Sequence, residues 1–252
     1  MLKILAERIK QGKRTIAFPG GEPKLPDRFR GLPVIDVSRC SAGCSTCVEV
    51  CPTGALTMTG KKAVMDIGRC LFCTGCETAC PNGAIKFSQD FRLAARNRND
   101  LKFSGGGFRP AQALDKNIRR IFGKSLKLRE ISAGGCNACE ADVNVLGTTV
   151  FDIGRFGIQF VASPRHADGI LVTGPVTKNM RDAVMETYEA TPQPRLVIAA
   201  GSCAISGGPY IGHKEVENGL DTLILVDLYV PGCPPHPLTI LDGILRLLGK
   251  IK

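Results

Sequence analysis

From residue 126 onward the apolar residues come in short, nearly continuous runs: LKLREIS, IQFVAS, GILVTG, RLVIAAG and TLILVDLYV. Between and after them lie segments such as ADVNVLGTT, TKNMRDAVMETYEA and PLTILDGILRLLG, in which apolar positions suit helices. Runs this short and this rich in β-branched residues predict strands covered on both faces, alternating with helices as in a parallel sheet. The leading half has a different pattern. DVSRCSAGCSTCVEVCPTGAL, beginning at Asp36, and DIGRCLFCTGCETACPNGAI, beginning at Asp66, are two copies of one short unit.

Composition narrows the class without changing this picture. The chain has 252 residues, 44% of them hydrophobic and 22% charged, which suits globular domains with buried cores and excludes wholesale disorder. Lys plus Arg outnumber Asp plus Glu by 33 to 23, a net charge of +10. Trp is absent and aromatics make up only 6%, so a base-stacking surface is poorly supplied and no nucleic-acid partner is expected. No apolar run approaches bilayer length, the best being Leu223 to Val230, interrupted by Asp227. Met1 to Arg14 lacks the continuous apolar core of a secretory signal, so a cytoplasmic location is expected. No GxxxxGK[ST], GxGxxG, GxSxG or HExxH occurs, leaving phosphate cradling, dinucleotide binding and hydrolytic catalysis without a signal.

The 12 cysteines carry the chemistry. In a reducing compartment, regular short spacing points to metal or cluster ligation rather than disulfides. Cys70, Cys73, Cys76 and Cys80 have the C-x2-C-x2-C-x3-C-P spacing of bacterial ferredoxins, and Cys40, Cys44, Cys47 and Cys51 repeat it with one extra residue beside Gly43. That residue is expected to bulge outward without loss of a ligand. In two-cluster ferredoxins the fourth cysteine of each run serves the other cluster. The expected sets are therefore Cys70, Cys73, Cys76 with Cys51, and Cys40, Cys44, Cys47 with Cys80. Cys136, Cys139, Cys203 and Cys233 remain. They follow predicted strands beside Gly134, Gly135, Gly201 and Pro231, and the loop Ser163–Asp168 and Gly174–Pro175 follow others. Carboxyl ends of strands are where an open α/β sheet binds its ligands, so these four are expected to converge on a third site. Three [4Fe-4S] clusters would use every cysteine. Zinc held by CxxC pairs, or cysteines merely buried, are the competing readings, and the third set is the more open to them.

Four ordered motifs, GGCNACEADV at Gly134, SPRHADGILVTGPVT at Ser163, GSCAISGG at Gly201 and PGCPPHP at Pro231, resemble the small subunit of membrane-bound, energy-converting [NiFe] hydrogenases of the formate hydrogenlyase type. The same block, residues 125 to 250, resembles the homologous 20 kDa cluster-bearing subunit of respiratory complex I. Phe29 to Phe91 resembles the separate two-cluster ferredoxin subunit of those complexes, here fused. The resemblance implies a flavodoxin-like domain with a doubly wound parallel sheet behind an α+β ferredoxin domain. Its cluster, on Cys136, Cys139, Cys203 and Cys233, would be the last electron relay before a large catalytic subunit. Membrane-arm subunits and a soluble electron donor would be further partners, and the chain would sit peripherally on the inner face of the cell membrane. The separation of Cys136 from Cys139 by two residues matches the hydrogenase side, whereas complex I subunits have adjacent cysteines there. Ala138, in place of a usual Gly, keeps nickel-free and quinone-linked relatives open, and a metal-stapled scaffold without turnover is the non-redox alternative.

The expected division is an extension over 1–30, a ferredoxin domain over 31–91, a basic linker over 92–125 and the cluster-bearing α/β domain over 126–252. Arg92 to Glu130 carries a net +8 and contains Gly105 to Gly107. No catalytic residue is expected beyond the clusters. Glu140, Arg165 and His166 are candidates for tuning a cluster or relaying a proton, against the blander readings of a first-turn helix acid and solvated loop residues. His213 and His236 receive no role.

Overall fold

The computed structural model describes residues 2–41, 43–60 and 62–251. After helix α1 (Leu2–Gln11), the duplicated units fold as two halves: β1 (Pro33–Ile35), α2 (Thr46–Glu49) and β2 (Leu56–Thr59), then β3 (Lys62–Asp66), α3 (Gly75–Ala79) and β4 (Ile85–Phe87). The outermost strands pair with each other, antiparallel, with Pro33 opposite Phe87, while β2 and β3 form a hairpin with Leu56 opposite Met65. Ile35, Leu56, Met65 and Ile85 point inward from these strands and are almost fully buried. Pairing first strand with last brings the end of each cysteine run beside the beginning of the other.

Residues 92–125 are woven into the molecule and do not form a free linker. β5 (Lys102–Phe103) adds a strand to the hairpin, with Met65 opposite Phe103, and α4 (Lys116–Phe122) follows. Leu93, Ala95, Leu101 and Phe103 enter the core on the ferredoxin side, and Ala94, Ala111, Leu114 and Phe122 enter the core on the far side of the main sheet. Ala95 exchanges backbone hydrogen bonds of 3.0 and 2.8 Å with Tyr229, which covers the open edge of that sheet. The cations that give this segment its charge conceal the small and apolar residues between them that do the packing.

The second half runs β6 (Leu126–Ser132), α5 (Ala138–Asn144), β7 (Ile158–Phe160), β8 (Gly169–Thr173), α6 (Lys178–Ala190), β9 (Leu196–Ala200), α7 (Ser202–Ser206), β10 (Leu228–Val230) and α8 (Pro237–Leu247). All five strands are parallel, in the order β10-β9-β8-β6-β7. This is the flavodoxin-like order, with its switch point between the first and third strands, β6 and β8. Every residue of β8 and β9 is buried, as the unbroken apolar runs require, and α8 is buried at every position but Arg246. The run TLILVDLYV becomes strand only over its last three residues. Before them the chain turns, Leu225 is 89% exposed, and Asp227 accepts the Val197 amide at 2.9 Å.

One core joins the two halves: Ile35, Met65, Ile67 and Leu101 share it with Ile131, Val172, Ala204 and Ile205. No helix among the described residues is long and apolar enough to cross a membrane.

Candidate metal centres

The short helices α2 and α3 exist to present sulfur. Each starts inside a CxxC pair, and Cys47 and Cys76 are its buried members. Cys51, Cys70, Cys73 and Cys76 line one cavity, and Cys40, Cys44, Cys47 and Cys80 line another. The backbone repeats with the sequence: the Ala55 amide donates to Cys51 Sγ and the Ala84 amide to Cys80 Sγ, each at 3.2 Å. The Phe72 amide donates to Cys70 Sγ at 3.3 Å. The bulge expected beside Gly43 falls on Ala42, outside the described residues; Cys40 and Cys44 on either side of it line the same cavity.

The electrostatics group the thiols in the same way. Burial pushes the Cys70 thiol up to about 12, with Cys76, Cys51 and Cys73 adding to it against the Phe72 amide. Cys76 is pushed up to about 11 by burial, then Cys51 and Cys73. Cys47 is raised by burial, then by Cys80, Cys40 and Cys44. Four thiolates crowded in low dielectric repel one another, so they ionise together only when a positive core joins them.

At the carboxyl end of the main sheet, Cys136 and Cys139 follow β6, Cys203 lies in α7 after β9, and Cys233 follows β10. Burial raises the Cys139 thiol well above its ordinary range, followed by the charges of Cys203, Glu140, Cys233 and Cys136. Cys203 rises to about 11 through burial, Cys233, Cys136 and Glu140. Two glycines make room for the sulfurs. A Cβ on Gly201, where φ is +92°, would stand 2.6 Å from Cys139 Sγ, and one on Gly208, where φ is +56°, would stand 2.7 Å from Cys203 Sγ. Asn137 opens α5 at φ +69° and Thr74 opens α3 at φ +63°, so both CxxC pairs begin with the same left-handed step.

Glu140 is buried beside this group. Burial pushes its carboxyl up, but the Ser132 and Thr173 hydroxyls, donating to Oε1 at 2.6 and 2.7 Å, together with its own amide, hold it below the ordinary carboxylate range. Glu130, two residues before Ser132 on β6, is pushed up to about 7 by burial and by the charge of Glu140, and its Oε1 has no partner among the described residues. Arg165 and His166 are exposed and lie away from the cysteines. Leu128 pairs with both Phe160 and Gly169, so the loop between β7 and β8 opens at the amino-terminal start of β8, a strand's length from Thr173. β7 is short and reaches only the first half of β6, which the apolar run alone did not reveal.

The second and third groups meet across the two halves. Cys233 is raised by the protein packed around it, then by Cys136 and by Cys73 of the ferredoxin half; both Cys73 and Cys233 are exposed and line one cavity of about 370 Å³. Ser202, 1% exposed, donates to the carbonyl of Cys70 at 2.6 Å, and Ser206 to that of Gly68 at 3.1 Å. Arg98 clamps Asp66 through two bonds of 2.8 Å, and Asp66 accepts the Gly68 amide at 3.0 Å. Sequence reasoning passed over Ser202, Ser206, Asp66 and Arg98. The only signal for Ser202 was its place next to Cys203.

Residues 136–247 match the model of the 20 kDa subunit of NADH:ubiquinone oxidoreductase, and residues 34–84 match a 4Fe-4S dicluster domain. A probable membrane-bound hydrogenase subunit of Pyrococcus furiosus is 40% identical over 141 residues, covering 55% of this chain and 84% of that protein. A chain of the membrane-bound sulfane sulfur reductase, an archaeal respiratory membrane complex, is 36% identical, covering 54% of this chain and 75% of that one with a TM-score of 0.47.

Proposed function

The chain belongs to the family of the 20 kDa NADH:ubiquinone oxidoreductase subunit, and as the iron–sulfur electron-transfer subunit of such an oxidoreductase complex we propose that it is wired through three [4Fe-4S] clusters. Cys40, Cys44, Cys47 and Cys80 hold the first, Cys51, Cys70, Cys73 and Cys76 the second, and Cys136, Cys139, Cys203 and Cys233 the third. A bound [4Fe-4S] cluster supplies reversible one-electron chemistry.

One observation carries the reading: twelve cysteines gather in space as three fours, with the second four reaching the third through Cys73 and Cys233. The donor set fits. All ligands are thiols, their ionisation is opposed by burial and mutual repulsion, and backbone amides already donate to Cys51, Cys70 and Cys80. The match of residues 34–84 to a 4Fe-4S dicluster domain favours clusters over tetrahedral zinc for the first two sets. The residues' tasks are to hold sulfur, exclude water and fix the two halves at a set separation; the shared core and the Ser202 bond do the last.

The partner is a large catalytic subunit of hydrogenase type, assembled with membrane-arm subunits that keep the chain on the inner face of the membrane. The Cys-Asn-Ala-Cys spacing at Cys136 favours a nickel-bearing partner over a quinone-reducing one. The test is to purify the complex anaerobically through this chain and measure iron, zinc and nickel. The expected content is about twelve irons per chain with absorbance that bleaches on reduction, and about one nickel per complex. Iron in full without nickel moves the assignment to a quinone-linked or nickel-free relative. Zinc in place of iron overturns it.

A further inference from the structure

We propose that α1 is a lipid-binding helix that lays the chain directly against an anionic membrane surface. The helix is rooted firmly. Just after it, Thr15 Oγ1 donates to the Thr149 carbonyl at 2.8 Å and the Ile16 amide to the Val150 carbonyl at 3.0 Å; Arg155 donates to the carbonyls of Ile16 and Phe18 at 3.1 and 2.7 Å. Beyond that root, none of the ten residues of α1 is buried. Leu2 is 84% exposed, Leu5 58% and Ile9 81%.

These residues are not scattered. At about 100° per residue, Leu2, Leu5, Ala6 and Ile9 fall in one arc roughly 100° wide, while Ile4, 74% exposed, stands alone on the opposite face. Lys3 and Lys10 border the arc on one side and Arg8 on the other, and Lys13 and Arg14 continue the charge toward the root; Glu7 is the single acid. Val150, whose carbonyl takes the Ile16 amide, is 43% exposed at the root. An apolar stripe edged by cations suits the boundary between acyl chains and anionic headgroups: the aliphatics sink and the long basic side chains reach back to phosphate. A protein groove could take the stripe, but the five cations against one acid on and after the helix complement anionic lipid. The proposal is independent of the cluster assignment, because no residue of α1 lines a cysteine cavity.

The test uses the full chain, which has no Trp. Leu5→Trp places a single indole in the arc. With vesicles of equal parts phosphatidylcholine and phosphatidylglycerol its emission is expected to shift to the blue and the protein to float with the lipid. With phosphatidylcholine alone, or at high salt, both responses are expected to fade. Lys3→Gln and Lys10→Gln are each expected to weaken binding about fivefold, and Leu5→Asp with Ile9→Asp to abolish it while iron content stays at the parent level. An indole that does not respond to anionic vesicles, an Asp pair that floats as before, or α1 crosslinked to a partner protein in the assembled complex would overturn the proposal.

Discussion

Replacing Ser202 by Ala tests whether the two halves are held in register by polar bonds or only by the shared core. The side chain is 1% exposed, and its hydroxyl is within 2.6 Å of the Cys70 carbonyl and 3.1 Å of the Gly232 carbonyl. Gly232 keeps the Ser202 amide as donor at 2.8 Å, so the bond that cannot be replaced is the one to Cys70. Leaving a buried carbonyl unpaired costs about 1–3 kcal/mol, and about 2 kcal/mol corresponds to roughly a thirtyfold rise in the opening equilibrium of the Cys70 turn. Global melting is a poor assay, because loss of bound groups on unfolding breaks two-state behaviour. Native-state hydrogen exchange is the right one. The amides of Cys70 and Phe72, bonded to the Ile67 carbonyl and to Cys70 Sγ, are expected to lose protection by that factor in Ser202→Ala, while those of β8 and β9 keep theirs. A loss below about twofold, within the ordinary range of surface substitutions, would refute the reasoning and leave the Ser206–Gly68 bond and the shared core as the fastening.

Other consequences follow from neighbouring contacts. Gly201→Ala sets a methyl 2.6 Å from Cys139 Sγ on a backbone with φ of +92°, so it should cost the third site its iron, about a third of the total by elemental analysis, while the ferredoxin pair stays loaded. Arg98→Met breaks the twofold clamp on Asp66, which is 8% exposed. Asp66 keeps Arg69 at 3.9 Å and the Gly68 amide, so the loss is expected at about 1–3 kcal/mol, and limited proteolysis is expected to cut near Gly105–Gly107 sooner than in the parent. Glu130 gives a pH signature. Its folded pKa of about 7 lies above its ordinary value, so the folded state holds a proton that the unfolded chain has released; stability is full below the unfolded value and falls as pH rises toward 7. Glu130→Gln should therefore gain stability over the parent at about pH 8 and little at about pH 5, and a gain equal at both would show that its environment is not the cause.

What could be read from the sequence and what could not divide along a physical line. The parallel sheet was legible because β8 and β9 are covered on both faces and so must be apolar at every position. The grouping of the ferredoxin-type cysteines was legible because that spacing is dictated by one short turn and one helix start, and the same cysteines line two cavities. Features made by chance meetings of ordinary residues left no such trace. Arg98 has nothing in its neighbourhood to mark it as the partner of Asp66, thirty-two positions back. Leu93, Ala95, Leu101 and Phe103 were hidden among cations, because only the sheet edge at Tyr229 and the hairpin of β2 and β3 tell them which way to face. The loop at Arg165 and His166 misled for a related reason. Its motif follows an apolar run, but whether a strand's end lies at the ligand edge depends on how far the strand climbs its neighbour, and β7 stops at Leu128. The same reasoning locates function. Chemistry that needs a particular atom can be read along the chain, whereas the separation between one cysteine site and the next is set by Ser202, Ser206 and a shared core, and these act only once the two halves have met.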